Sequence, residues 1–217
     1  MADRMADTII VAIDGPAAAG KGTIAKDLAR QLNLAYLDTG SLYRAVGHAV
    51  LEAGGDPDND ADARRAAETL DIEAIDPVAI RTREVGAAAS KVAAKPDVRA
   101  ALLETQRRFA HHPPEGKAGV VLDGRDIGTV VCPDADVKLF VTASDEARAN
   151  RRWLELKQAD PDLTVGDVLA DLKERDRRDS ERASAPLTKA DDAILLDTTD
   201  LSIEAAIHAA LDIVGRR

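Results

Sequence analysis

Aromatic side chains are almost missing from this sequence: one Trp, two Tyr and two Phe stand among 217 residues. That scarcity removes the stacking platforms on which single-stranded nucleic-acid binders rely. A surplus of basic charge is missing too, since 29 Lys and Arg face 39 Asp and Glu for a formal net charge of −10. Nonspecific binding to a phosphate backbone needs a dominant basic surface. No nucleic-acid partner is therefore expected, and any phosphate site must be a local cluster. The single cysteine, Cys132, excludes an internal disulfide and reads, within VVCPDA, as a small buried hydrophobe. No basic-then-apolar leader is present, and no apolar run reaches the roughly 18 residues of a membrane span. The expectation is a cytoplasmic protein without a membrane partner, read as a monomer, starting at Met1 or Met5. His48, His111, His112 and His208 show no metal-ligand spacing.

What is present is an ordinary globular balance, 45% hydrophobic against 31% charged, in a length suited to one α/β domain with an excursion. Five short apolar runs, at 8–14, 34–38, 119–123, 136–142 and 193–197, are each followed by helical periodicity. Continuous apolar strands such as TIIVAID and VKLFVTA suit a parallel sheet covered on both faces. Four of the runs end in Asp14, Asp38, Asp123 and Asp197, so polar chemistry gathers at the carboxyl edge, where such sheets bind ligands. Between 54 and 117 the pattern becomes acidic, Ala-rich and helical. We read 1–53 and 118–217 as a core and 54–117 as an inserted subdomain.

The strongest motif is GPAAAGKGT, which follows a strand and opens a helix. Backbone amides of such a loop converge on phosphate oxygens, the helix N-terminus adds positive potential, and Lys21 reaches the β- and γ-phosphates. Gly15, Pro16, Ala17, Ala18, Ala19, Gly20, Lys21, Gly22 and Thr23 are the candidate ATP contacts. Gly22 stands where a Ser or Thr usually ligates Mg²⁺, and Thr23 comes one residue later. The ordinary alternative, a glycine turn with a solvated lysine, fits the strand-turn-helix order less well. This variant resembles the loops of nucleoside monophosphate kinases.

Further on, LAYLDTGSLYRAV ends a strand at Asp38 and starts a helix, with Ser41 as the expected N-cap and Tyr43 and Arg44 on the first turn. Arg44 could fork onto a phosphate or lie idle on the surface, and this segment alone favours neither. VVLDGRDIGT delivers Asp123, Arg125 and Asp126 just beyond a buried strand, which is costly unless they bind a ligand or form a structural ion pair. The helix from Thr164 has an apolar stripe at Val165, Val168, Leu169 and Leu172 that continues into Arg175, Asp179 and Arg182. Arg177 points the other way. Arg148, Arg151 and Arg152 form a second basic stripe after Ser144, equally readable as a solvated face.

GPAAAGKGT, LDTGSLYR, IRTREV, DGRDIGTVV and ERDRRDSERASAP, in this order across most of the chain, resemble the bacterial-type cytidylate kinases. The resemblance implies a P-loop NTPase-type α/β fold with a five-stranded parallel sheet flanked by helices, a helical monophosphate-binding insertion, and a short lid at about 150–165. It implies ATP with Mg²⁺ as donor and CMP or dCMP as acceptor. By the same resemblance Thr39, Arg125 and Asp126 read the cytosine, Arg44, Arg107 and Arg182 hold the acceptor phosphate, and Arg175 and Asp179 contact the sugar. Tyr43 lines the pocket, and Arg108 is an equal candidate for the place given to Arg107. Many relatives carry a small sheet in the insertion, but only 71–80 separate TLD from Arg81 here, so that sheet is expected to be short or absent.

A kinase of this kind acts by positioning and charge stabilisation. Lys21, Arg44 and Arg182 are the expected catalytic cations, and Asp123 is expected to orient Mg²⁺ through water. Two rivals remain at this level. One is a P-loop kinase for another small acceptor. The other is a GTP-binding switch, since Thr188-Lys189-Ala190-Asp191 imitates a guanine-reading motif although it does not follow a buried strand.

Overall fold

A computed structural model describes residues 8–72, 74–114 and 116–216; the candidate starts Met1 and Met5 lie outside the described residues. Five strands form one parallel sheet: β1 (Ile9–Asp14), β2 (Ala35–Asp38), β3 (Gly119–Asp123), β4 (Val137–Thr142) and β5 (Ile194–Asp197), in the order β2-β3-β1-β4-β5. Each begins within one residue of its expected place. The uninterrupted apolar character of β1 follows from cover on both faces. Val11 and Ile13 pack on Ile24 and Leu28 of α1 (Lys21–Gln31) and on Ala206 and Ala210 of α8 (Ile203–Gly215). Ile10 and Ala12 pack toward Ala110 of α5 (Pro96–His111).

The parallel register sets Asp38 beside Asp123 and Ile13 beside Asp123, so the polar strand ends arrive at one level. Helix α2 (Thr39–Glu52) starts directly after β2. Its N-cap is Asp38, whose carboxylate accepts from Ser41 N at 3.1 Å, and not Ser41 as the sequence suggested. The strand-ending acid does the capping itself, one turn earlier. Helix α1 likewise opens early, at Lys21, three residues before its apolar pattern begins at Ile24.

Among the described residues, 54–117 holds α3 (Asp60–Glu68), a 3₁₀ turn (Ala79–Arg81), α4 (Arg83–Val92) and α5, with no strand. Leu42, Tyr43 and Val46 of α2 share a core with Ala63 and Ala67 of α3, Ala89 and Val92 of α4, and Val98 and Leu102 of α5. The acidic run before α3 serves locally: Asn59 caps the helix, while Asp58 and Asp60 pair with Lys91 and Lys95. Helices α6 (Asp145–Leu156) and α7 (Val165–Glu181) pack on each other through Ala149, Val168 and Leu172. No helix among the described residues is long and apolar enough to cross a membrane.

Candidate active site

The phosphate-loop candidate leaves β1 through Gly15 at φ 144, where a Cβ would stand 1.9 Å from Val141 O, so only glycine fits. Gly20 at φ 90 ends the loop and caps α1 without a side-chain bond, and no acid occupies the first turn. The amide donors and positive dipole end of α1 are thus left for a ligand. Ala18 also adopts a left-handed conformation, φ 59, which an alanine holds only under constraint. Part of that constraint is Arg148, buried beneath the loop, which donates to Ala17 O at 3.1 Å and to Ala143 O at 3.2 Å and pairs with Asp176 of α7. The solvated-face reading therefore does not hold for Arg148.

Lys21 is the first residue of α1 and folds back so that Nζ donates to Pro16 O at 2.8 Å. Burial, and then the Arg125 guanidinium, push it down to about 7. Facing it is Asp123, pushed up to about 6 by burial and by neighbouring Asp38, with Tyr36 OH donating to its Oδ2 at 2.9 Å. A Cβ on Gly22 would lie 3.4 Å from that same oxygen. The missing hydroxyl of the loop and the carboxylate of β3 therefore meet at one point. One carboxylate beside a phosphate cradle suits Mg²⁺, which takes one or two protein oxygens and completes its shell with phosphates and water.

Beyond β3, Asp126 is buried and paired with Arg99 of α5, while Arg182 Nη2 lies 3.7 Å from its other oxygen. Arg99 stands 5.5 Å from the Tyr43 ring centre. Thr39 Oγ1 donates to Asp123 O at 2.8 Å. Arg125 Nε donates to Asp179 Oδ2 at 3.0 Å. Burial works against ionisation of Asp179, but Arg125, Arg175 and Arg182 outweigh it and hold its carboxyl below the usual range. Arg44 donates to Ile80 O at 3.1 Å and is pushed down to about 9 by burial and then by Arg175 and Arg152. Arg175 is pushed down to about 10 by burial and then by Arg125. Arg175 Nε and Arg182 Nη2 are buried without a hydrogen-bond partner. Cations that depress one another in this way are balanced when anions lie among them.

These groups line a single cleft of about 840 Å³. Residues 17–23 form one end, and Thr39, Tyr43, Arg44, Arg125, Asp126, Arg175, Asp179 and Arg182 the other. Gly15 and Pro16, expected among the ATP contacts, do not reach the cleft lining and shape the loop from behind. Arg107 is a correction. Its guanidinium donates to Val131 O at 3.1 Å and Val130 O at 2.9 Å, bracing α5 against the following turn away from the cleft, and Arg108 is exposed outside it. The arginine that α5 brings to the cleft is Arg99, which sequence reading missed. Its signal was present: it shares spacing i, i+3, i+7 with Leu102 and Gln106, both buried. Lys189 of the guanine-like tetrapeptide closes its own turn on Ala193 O at 3.0 Å and is exposed.

The model of the family described as cytidylate kinase matches residues 11–216. The chain belongs to the cytidylate kinase family. A cytidylate kinase of Rhodospirillum rubrum is 56% identical over 96% of this chain and 98% of its own. Those of Azorhizobium caulinodans and Paramagnetospirillum magneticum are 59% and 58% identical, each over 96% of this chain and 98% of its own. Among solved structures, an uncharacterised protein from Eubacterium ventriosum matches with TM-score 0.54 at 18% identity, covering 97% of this chain and 99% of that one. A sugar kinase from a Janibacter species matches with TM-score 0.50 at 15% identity, covering 96% and 95%. These two show the fold alone. Each of the five motifs that carried the resemblance to cytidylate kinases places a residue in the cleft: Lys21, Thr39, Arg81, Asp126 and Arg175.

Proposed function

We propose that the chain transfers the γ-phosphoryl group of ATP to CMP or dCMP, giving ADP with CDP or dCDP, as a cytoplasmic enzyme of pyrimidine nucleotide metabolism. The observation that carries this reading is one cleft with a phosphate cradle at one end and, at the other, a buried carboxylate, Asp126, set among arginines. Cytosine's exocyclic amine donates and a carboxylate accepts. Asp126, with Thr39 and Arg125, reads the base in this account. Arg44 and Arg182 hold the acceptor phosphate, Arg175 and Asp179 meet the sugar, and Tyr43 closes the pocket. Arg99, paired with Asp126, holds that carboxylate in place. Residues 54–117 supply the acceptor-binding part and 150–165 the lid.

Phosphoryl transfer runs through a loose transition state, so the chain's contribution is alignment and charge. Lys21 and the amides of residues 17–23 bind the donor's β- and γ-phosphates. The acceptor phosphate is held in line by Arg44 and Arg182, whose charge follows the migrating group. Asp123 would hold Mg²⁺ through water, and the ion when bound would neutralise phosphate charge. Water is kept from competing by closure over the cleft. A coupled assay of ADP release against CMP, dCMP, UMP and AMP tests the reading. CMP and dCMP are expected to lead by at least tenfold in kcat/KM, and equal use of all four would overturn it.

A further inference from the structure

Arg125 and Asp126 sit on a stretch of backbone that β1 pins on both sides. Ahead of them, Gly124 N donates to Ile13 O at 2.9 Å. Behind them, one carboxylate takes two consecutive amides: Asp14 Oδ1 accepts from Ile127 N at 2.7 Å and Oδ2 from Gly128 N at 2.8 Å. These are the first donors of a π turn (Ile127–Val131) in which Val130 N and Val131 N both reach Asp126 O and Cys132 N reaches Ile127 O. The opening amides of such a turn have no partner within it, and Ile127 and Gly128 are buried. Asp14 itself is buried, 5% exposed, and has no freedom to drift, because the next residue is Gly15, wedged against Val141 O.

We propose that Asp14 is a positioning residue for acceptor selection: through Ile127 and Gly128 it fixes where Arg125 and Asp126 stand, so cytosine preference depends on a side chain outside the cleft lining. The inference rests on the reading that Asp126 faces the base. One residue thereby joins the start of the phosphate loop to the acceptor end.

The test is Asp14→Asn, which keeps the shape but offers an NH₂ to one of two amides that both need an acceptor. Binding of CMP, UMP and ATP is measured by calorimetry without metal, alongside Asp126→Asn. Expected for a folded Asp14→Asn chain are a CMP Kd raised tenfold or more, a CMP-over-UMP preference reduced at least threefold, and an ATP Kd within twofold of wild type. Unchanged CMP binding, with Asp126→Asn weakened, overturns the role of Asp14 alone. Unchanged CMP binding in both variants overturns the reading of Asp126 and the inference with it. Equal losses for CMP and ATP also overturn it, since a general support would act that way. If Asp14→Asn does not fold, amide hydrogen exchange in the wild-type chain decides. Protection of Ile127 and Gly128 equal to that of β1 supports the clamp, and rapid exchange at either overturns it.

Discussion

Arg99 of α5 is paired with Asp126 beyond β3, and neither side chain is exposed to solvent. The carboxylate assigned to the base is thus held from the helical segment 54–117 rather than from the sheet that presents it. Asp126→Asn removes the charge and allows the amide to turn and donate to a uracil carbonyl. Its kcat/KM ratio for CMP over UMP is expected to fall well below wild type, by tenfold or more given about 1–3 kcal/mol for a mismatched buried polar group. Competition kinetics with both nucleotides measures this; an unchanged ratio would return Asp126 to a structural ion pair.

Lys21 gives a pH signature. Its folded value, about 7, lies below the ordinary 10.5, so folding disfavours the charged amine. That penalty is present in full below about pH 7 and fades as pH rises toward 10.5. Without nucleotide, Lys21→Met is therefore expected to melt higher than wild type at pH 6, with the gap closing by pH 10. ATP phosphates restore a partner for the charge, so at pH 8 wild type should take up close to one proton on binding and Lys21→Met none. Calorimetry in buffers of different ionisation heat reads the uptake. Turnover in Lys21→Ala should drop by about 10²–10³-fold in a chain with wild-type circular dichroism.

Arg44 is half-buried among like charges, which favours its replacement in the empty protein and opposes it in the working one. Arg44→Met is expected to keep or raise Tm while raising KM for CMP at least tenfold. A fall in Tm with KM unchanged would make Arg44 a support for the Ile80 turn.

Two of the three arginines first assigned to the acceptor phosphate, Arg182 and Arg107, should part company. Arg182→Ala should cripple CMP use far more than ATP binding. Arg107→Ala should leave KM for CMP within about twofold and lower stability by about 1 kcal/mol, the scale of its hydrogen bonds to Val130 O and Val131 O. Steady-state kinetics with thermal denaturation separates them.

Much of this was legible because it is local. Strand runs closed by Asp14, Asp38 and Asp123 could be placed to within a residue, and counting from Leu172 turned Asp179 inward and left Arg177 outside with Glu174 and Glu181. What failed depended on distant partners. On α5 the buried residues are Val98, Arg99, Leu102, Gln106 and Ala110, and two of these are polar, so an apolar pattern does not mark the face. Arg99 was hidden for that reason, and its partner is 27 positions away. The π turn had no local signature, since the carboxylate that shapes it comes from 113 positions earlier.

The core that α2 shares with α3, α4 and α5 also sets where the chain could be cut and transplanted. Residues 54–117 moved alone onto another phosphate-loop scaffold would leave Leu42 and Val46 behind and bare Ala63, Ala89, Val92 and Leu102 to water. The exchangeable module runs from Thr39, so that Tyr43 and Arg44 travel with the helices that bury the other face of their own. A graft that respects this boundary keeps its shared core and brings Thr39, Tyr43, Arg44 and Arg99 together, and one that follows the composition change at Gly54 leaves Thr39, Tyr43 and Arg44 behind.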